Sequence, residues 1–280
     1  MLPDPNRQVA VLIIVYQNRL SDLEKISLYQ CVKVLKNHPI RIVKPVSLDL
    51  SDWPAGMASI ACENFPDRFF TDVGTYSRLL ISRDFYKRFL DFEYILIYQL
   101  DAFVFKDSLQ EWCSKGFDYI GAPWFDGFSD DQPGAALTGV GNGGFSLRNV
   151  KAHLRVLYSF SYLNPPRNNW RHRMLLKPRG TKWLAEAIGF FLDLGWRNNT
   201  FWLLNSFRGF EDQFWSLIAA RNFPWFKIAG VQEAMDFSIE MQPRRVYAMN
   251  HYRLPFGCHA WWKYDLGFWR PHIRECGYNL

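Results

Sequence analysis

What this 280-residue chain lacks already excludes several kinds of protein. Its five cysteines, Cys31, Cys62, Cys113, Cys258 and Cys276, are odd in number, widely spaced and contain no C-x-x-C pair. Neither a disulfide framework nor a zinc ribbon follows from them, and a reducing compartment fits best. No apolar run approaches the roughly 18 residues that a membrane span needs. The polar start Met1–Gln8 leads straight into a short strand-like run, which gives the expectation of no signal peptide. The turn that closes the first strand, Gln17-Asn18-Arg19, contains no glycine, so the G-x-G-x-x-G fingerprint and the P-loop are both missing. Readings based on NAD or on ATP hydrolysis weaken accordingly. No repeat and no low-complexity tract is present.

An acidic excess is missing too: 33 Lys plus Arg against 27 Asp plus Glu leave the chain at +6. That balance favours phosphate-bearing ligands or an anionic surface. The charges are dispersed, without a finger, helix-turn-helix or RNP pattern, so the expected partners exclude nucleic acid. Abundant instead are aromatic residues, 24 Phe, 12 Trp and 13 Tyr, or 49 in all. Flat rings with polar edges suit sugars, bases and membrane interfaces as well as a core.

Ala10–Tyr16 is a continuous, mostly β-branched run, as in a strand buried on both faces of a parallel sheet. Ser21 and Glu24 have the spacing of a helix capping box, Leu23, Ile26, Cys31 and Val34 follow at near-helical spacing, and Asn37 and Pro39 end the pattern. Ile40–Val43 restarts a strand, completing a βαβ unit and placing the N-terminal half in the α/β class. A loop over 47–67 and one or two helices over 71–90 lead to the strand Tyr94–Phe105 (YILIYQLDAFVF). The chain reads as a single domain. The basic stretch from Arg167 to Lys182 reads as a solvated loop or as an anion or lipid contact, and the last 30 residues read as irregular.

Within the strand Tyr94–Phe105 the polar exceptions are Gln99 and Asp101, two apart and therefore on the same face. A buried carboxylate needs a cation or several donors, and a divalent metal would supply the cation; an Asp capping a turn at the strand end is the alternative, and Ala102-Phe103-Val104-Phe105 after it is not turn-like.

LDAFVF, Leu100–Phe105, resembles the D-x-D strand of GT-A-type nucleotide-sugar glycosyltransferases, with Asp101 at the first acidic position and Phe103 at the second. Thr75-Tyr76-Ser77-Arg78-Leu79, Tyr119–Trp124 (YIGAPW), Gly139–Arg148 (GVGNGGFSLR) and Gly257–Trp261 (GCHAW) resemble further segments in that superfamily's order. The likeness spans about residues 10–265 and is to a bacterial and fungal branch of GT-A-like proteins. It implies a GT-A-like (Rossmann-like) α/β fold: a mixed, mostly parallel sheet flanked by helices, with an irregular C-terminal acceptor part. Residues of about 8–150 would bind the nucleotide-sugar and residues of about 151–280 the acceptor.

The activity so implied is transfer of a sugar from a nucleotide-sugar to a carbohydrate or glycolipid acceptor, assisted by Mn²⁺ or Mg²⁺ and inverting. Cytoplasmic location is expected, with or without peripheral contact to the inner face of a membrane. Gln17, Arg78, Gln99, Asp101, Asn142, Gly143 and Gly144 are the expected donor-binding residues. Asp101 and His259 are the expected metal ligands, with His251 as competitor; a histidine packed in an aromatic loop explains His259 equally. Asp212, before Glu211 in preference, is the expected base toward the acceptor hydroxyl; both carboxylates could instead cap a helix N-terminus. The glycines of 139–144 suit either a ligand or a tight bulge. Trp261, Trp262 and Trp269 suit a sugar platform or the core. With Phe103 in place of an acid, a catalytically inactive carbohydrate-binding relative is the alternative.

Overall fold

The computed structural model describes residues 8–54, 56–57, 59–128, 134–163 and 196–280. The basic stretch from Arg167 to Lys182 lies outside them. The first half runs β1 (Val9–Ile14), α1 (Asp22–Val34), β2 (Ile40–Pro45), β3 (Ala61–Phe65), α2 (Val73–Leu80), α3 (Arg83–Lys87), β4 (Tyr94–Gln99), β5 (Phe103–Val104) and α4 (Leu109–Ser114). After these come β6 (Tyr119–Ile120), β7 (Ala122–Phe125), β8 (Leu137–Gly141), β9 (Phe145–Asn149), α5 (Val150–Tyr158), α6 (Thr200–Ser206) and α7 (Val231–Phe237). The chain ends with β10 (Ser238–Ile239), α8 (Pro243–Met249), β11 (Gly257–Cys258) and α9 (Trp261–Glu275).

The main sheet has the order β3-β2-β1-β4-β9-β6. β3, β2, β1 and β4 are parallel, and β9 is antiparallel to both its neighbours. This is the expected mixed, mostly parallel sheet flanked by helices. The unbroken apolar run of β1 has a plain cause. Val9, Val11 and Ile13 enter the core under α1 and α4, whereas Ala10, Leu12 and Ile14 enter the core under α2, α3 and α5. A strand covered on both faces cannot alternate apolar with polar. The capping box at Ser21 and Glu24 forms as the spacing predicts, and Asp72 caps α2 in the same way.

Two expectations need correction. The strand Tyr94–Phe105 is not continuous: Ala102 N–H donates to Gln99 C=O at 2.9 Å, turning the chain at Leu100–Asp101, after which β5 pairs with β11 in a separate three-stranded sheet. Asp101 therefore sits on a turn at the end of β4, not on a strand face. The last 30 residues are not irregular either, because α9 buries Trp261, Phe268, Trp269 and Ile273 in a third core with Phe103. Gly267 and Pro271 disguise that helix; its backbone breaks at Asp265 and it still continues past Pro271. No helix among the described residues is long and apolar enough to cross a membrane.

Candidate functional site

From β1 the chain steps to β2 and β3 on one side and then returns to β4 on the other. The carboxyl ends of β1 and β4 therefore flank the point where strand order reverses, the place where open α/β sheets leave a crevice. A cavity of about 590 Å³ opens there, between Ile14–Gln17 after β1, Gln99–Asp101 after β4, Tyr76 on α2, and Trp262 and Lys263 on α9. The turn that interrupts the Tyr94–Phe105 run is what brings Asp101 to this rim.

Asp101 is buried, with both oxygens engaged: Oδ2 accepts from Lys263 Nζ at 2.6 Å and Oδ1 lies 3.1 Å from His259 Nε2. Burial alone would raise this carboxyl, but His259 and Lys263 together hold it well below the usual carboxylate range. The other ring nitrogen of His259, Nδ1, is 2.8 Å from Glu240 Oε1, and Nε2 is also 3.3 Å from Gln99 Oε1. Burial opposes charge on His259, yet Asp101 and Glu240 on its two nitrogens push it up to about 10. Two carboxylates thus face one imidazolium and one ammonium.

The glycine segment has its cause here. A Cβ on Gly144 would come 2.0 Å from His259 Nε2, and one on Gly143 would come 1.9 Å from Glu211 Oε1. The glycines make room for the polar side chains behind them, while Gly144 C=O accepts from Gln99 N–H at 2.8 Å and ties the segment to the end of β4. Asn142 adopts a left-handed backbone with φ of 71°. Its N–H donates to Asp212 Oδ2 at 3.2 Å, its Oδ1 accepts from Gly144 N–H at 3.0 Å, and its buried Nδ2 has no partner among the described residues. Burial raises the Asp212 carboxyl, with the N–H groups of Gln213 and Asn142 opposing and the charge of Glu240 adding to the rise.

The structure separates the remaining expected residues. Glu211 is buried and paired with the fully buried Arg148 at 2.7 Å; burial moves it up to about 7 against the pull of Arg148. It is a core ion pair rather than a group presented to substrate. Arg78 does not line the cleft but the opposite side of α2. Gln17 lines the cleft and donates to Glu24 at 3.0 Å. His251 has a left-handed backbone in the turn after α8 and is exposed. Phe103 is buried against Phe105, Trp261 and Tyr278, so the second D-x-D position points into the third core. Trp261 and Trp269 are core residues, and Trp262 lines the cleft. Sequence reading missed Lys263 and Glu240. Lys263 carries one usable signal, its place four residues after His259; Glu240 carries none, since only the fold brings it to the imidazole.

A metal ion suits part of this donor set. Carboxylate, imidazole and amide oxygen together are chemistry that Mn²⁺ and Mg²⁺ accept. Two ligands at right angles about 2.1 Å from one ion stand about 3 Å apart, close to the Asp101–His259 separation. Glu240 behind His259 is the outer carboxylate that commonly orients a ligating imidazole. Among the described residues no group of three or more His, Cys, Asp or Glu could hold a metal. The fit is therefore to two residues only, Asp101 and His259.

Among solved structures, the galactosyltransferase LgtC in complex with donor and acceptor sugar analogs is 12% identical over 89% of this chain and 86% of its own, with a TM-score of 0.48. Mouse xyloside xylosyltransferase 1 is 11% identical over 90% of this chain and 97% of its own, with a TM-score of 0.46. A glycosyltransferase involved in glycosylation of the PBCV-1 major capsid is 9% identical over 95% and 99%, with a TM-score of 0.45. No curated protein matches the sequence. The family profile described as "Protein of unknown function (DUF5672)" matches residues 59–259, which include Asp101, Asn142, Asp212, Glu240 and His259, and the chain belongs to that family.

Proposed function

We propose that the protein transfers a sugar from a nucleotide-sugar donor to a hydroxyl of a carbohydrate or glycolipid acceptor. The observation that carries this reading is the convergence of Gln99, Asp101 and Lys263 on one rim of the cleft at the β1/β4 strand-order reversal, with His259 packed against Asp101 and Gln99. The resemblance of the LDAFVF, GVGNGGFSLR and GCHAW segments to GT-A enzymes supports it, since Asp101 lines the cleft, His259 packs on Asp101 and Gly144 packs on His259.

In this reading the nucleoside lies against Tyr16, Gln17 and Tyr76, and the diphosphate approaches Lys263. Lys263 is partly freed from Asp101 as phosphate oxygens compete for it. With the Nε2 proton of His259 given up, Asp101 and His259 would hold the Mn²⁺ or Mg²⁺ ion, which would supply positive charge to the leaving diphosphate. Glu240 keeps the His259 ring oriented, and Asn142 N–H holds the Asp212 carboxylate. Asp212, raised above its ordinary carboxyl value, accepts the proton of the attacking acceptor hydroxyl. Direct displacement of this kind inverts the anomeric centre.

Transfer and donor hydrolysis, followed by nucleoside diphosphate release, test the reading. Asp212→Asn is expected to lower turnover at least about a hundredfold, the scale of general-base catalysis, with donor affinity retained. The anomer of the product, read by NMR, tests inversion. A protein that binds carbohydrate but shows no release in any variant is instead the inactive relative.

A further inference from the structure

Helix α2 separates the cleft from a second cavity. Tyr76 lines the first and Thr75 and Arg78 line the second, which measures about 860 Å³ and lies among α2, α3, the end of α5 and α6. Among the described residues Arg68, Arg78 and Arg83 all line it, against the single carboxylate of Asp84. Phe201 and Leu204 of α6 supply apolar wall.

Arg83 is fixed in place. Its Nε and Nη2 both donate to Leu157 C=O, at 3.0 and 2.8 Å, and its guanidinium lies 4.4 Å from the Tyr158 ring and 5.5 Å from the Phe201 ring. Among the described residues Nη1 has no hydrogen-bond partner. Arg68 and Arg78 are exposed, and among the described residues no carboxylate pairs with either or with Arg83. Three guanidinium groups around one space repel each other unless something anionic stands between them. Their forked donors match phosphate oxygens better than an ammonium would.

We propose that this cavity binds a phosphate-bearing ligand with an apolar portion, its phosphate held by Arg68, Arg78 and the open edge of Arg83, its apolar portion against Phe201 and Leu204. The site stands apart from the β1/β4 cleft and does not rest on the transfer reading.

Two probes test it with the full chain. Titration calorimetry with phenyl phosphate reports a soluble ligand, and flotation with phosphatidylcholine vesicles, with and without phosphatidic acid, reports phosphate carried on a lipid. At least one probe is expected to bind, and the double variant Arg68→Ala, Arg78→Ala to weaken that binding tenfold or more, about the loss of one charge-assisted hydrogen bond or greater. Lys263→Glu, which disrupts the cleft, is expected to leave it unchanged. Both arginines are exposed, so the double variant should melt like the parent. Loss of phenyl phosphate binding assigns a soluble ligand, and loss of vesicle binding alone assigns a lipid. Binding of neither probe, binding unaffected by the double variant, or binding abolished by Lys263→Glu overturns the proposal.

Discussion

At the scale of single residues, the cleft works by opposed charges held close. His259 donates from both ring nitrogens to carboxylates, and Asp101 accepts from both a histidine and a lysine. Replacing Asp101 by Ala leaves His259 and Lys263 with one carboxylate between them, and nucleoside diphosphate affinity is expected to change more than the melting temperature does. Buried groups outside the cleft give a separate test. His153 donates from Nδ1 to Asn149 C=O at 2.7 Å, is packed by Tyr86 and Trp215, and has an unpartnered, buried Nε2. Burial, helped by the charge of Arg148, drives it well below its ordinary 6.5. Below that value the unfolded chain takes a proton that the folded chain refuses. Its contribution is thus intact above pH 6.5 and is lost as pH falls, by up to about 1.4 kcal/mol per pH unit. Glu211, raised to about 7, contributes with the opposite sign over the same range, so the His153 slope is read below pH 6.5 as the difference between denaturant titrations of the parent and of His153→Phe.

At the scale of elements, the glycine segment before β9 and the helix start at Glu211 act as one support. Gly144→Ala would drive a methyl into His259 and is expected to abolish nucleoside diphosphate binding, read by calorimetry, while far-UV circular dichroism stays unchanged. Arg148→Ala leaves Glu211 as an uncompensated buried charge, a loss of about 3–5 kcal/mol in chemical denaturation. The paired replacement Arg148→Met, Glu211→Met is expected to recover most of it. These elements also show what a sequence can carry. β1 was legible because strands covered on both faces must be apolar throughout, and α1 because its cap is a local arrangement of Ser21 and Glu24. The break at Leu100–Asp101 was not, because the residues after it are as apolar as those before; only pairing of Phe103 and Val104 with β11 shows that a second sheet has begun. Helix α9 was hidden by Gly267 and Pro271, whose local cost is offset by burying Trp261 and Trp269.

At the scale of the whole molecule, the proposed function rests on where the strand order reverses. Asp101 was legible as a buried acid in an apolar run, and His259 by likeness of its segment. Glu240 and Lys263 were not, since their roles depend on α9 and β10 being folded beside β4. Arg78 shows the converse: its motif pointed to the donor, and the turn of α2 carries it to the other face. The central claim is that a nucleoside diphosphate seats in the cleft between β1 and β4, against Lys263 and the Asp101–His259 pair. Titration calorimetry of uridine and guanosine diphosphates, with Mn²⁺ and with chelator, on the parent and on Lys263→Glu, addresses it directly. The account predicts that at least one nucleotide binds the parent and that charge reversal at 263 abolishes binding. Absence of binding by every nucleotide under both conditions, or equal affinity in the two proteins, would contradict it.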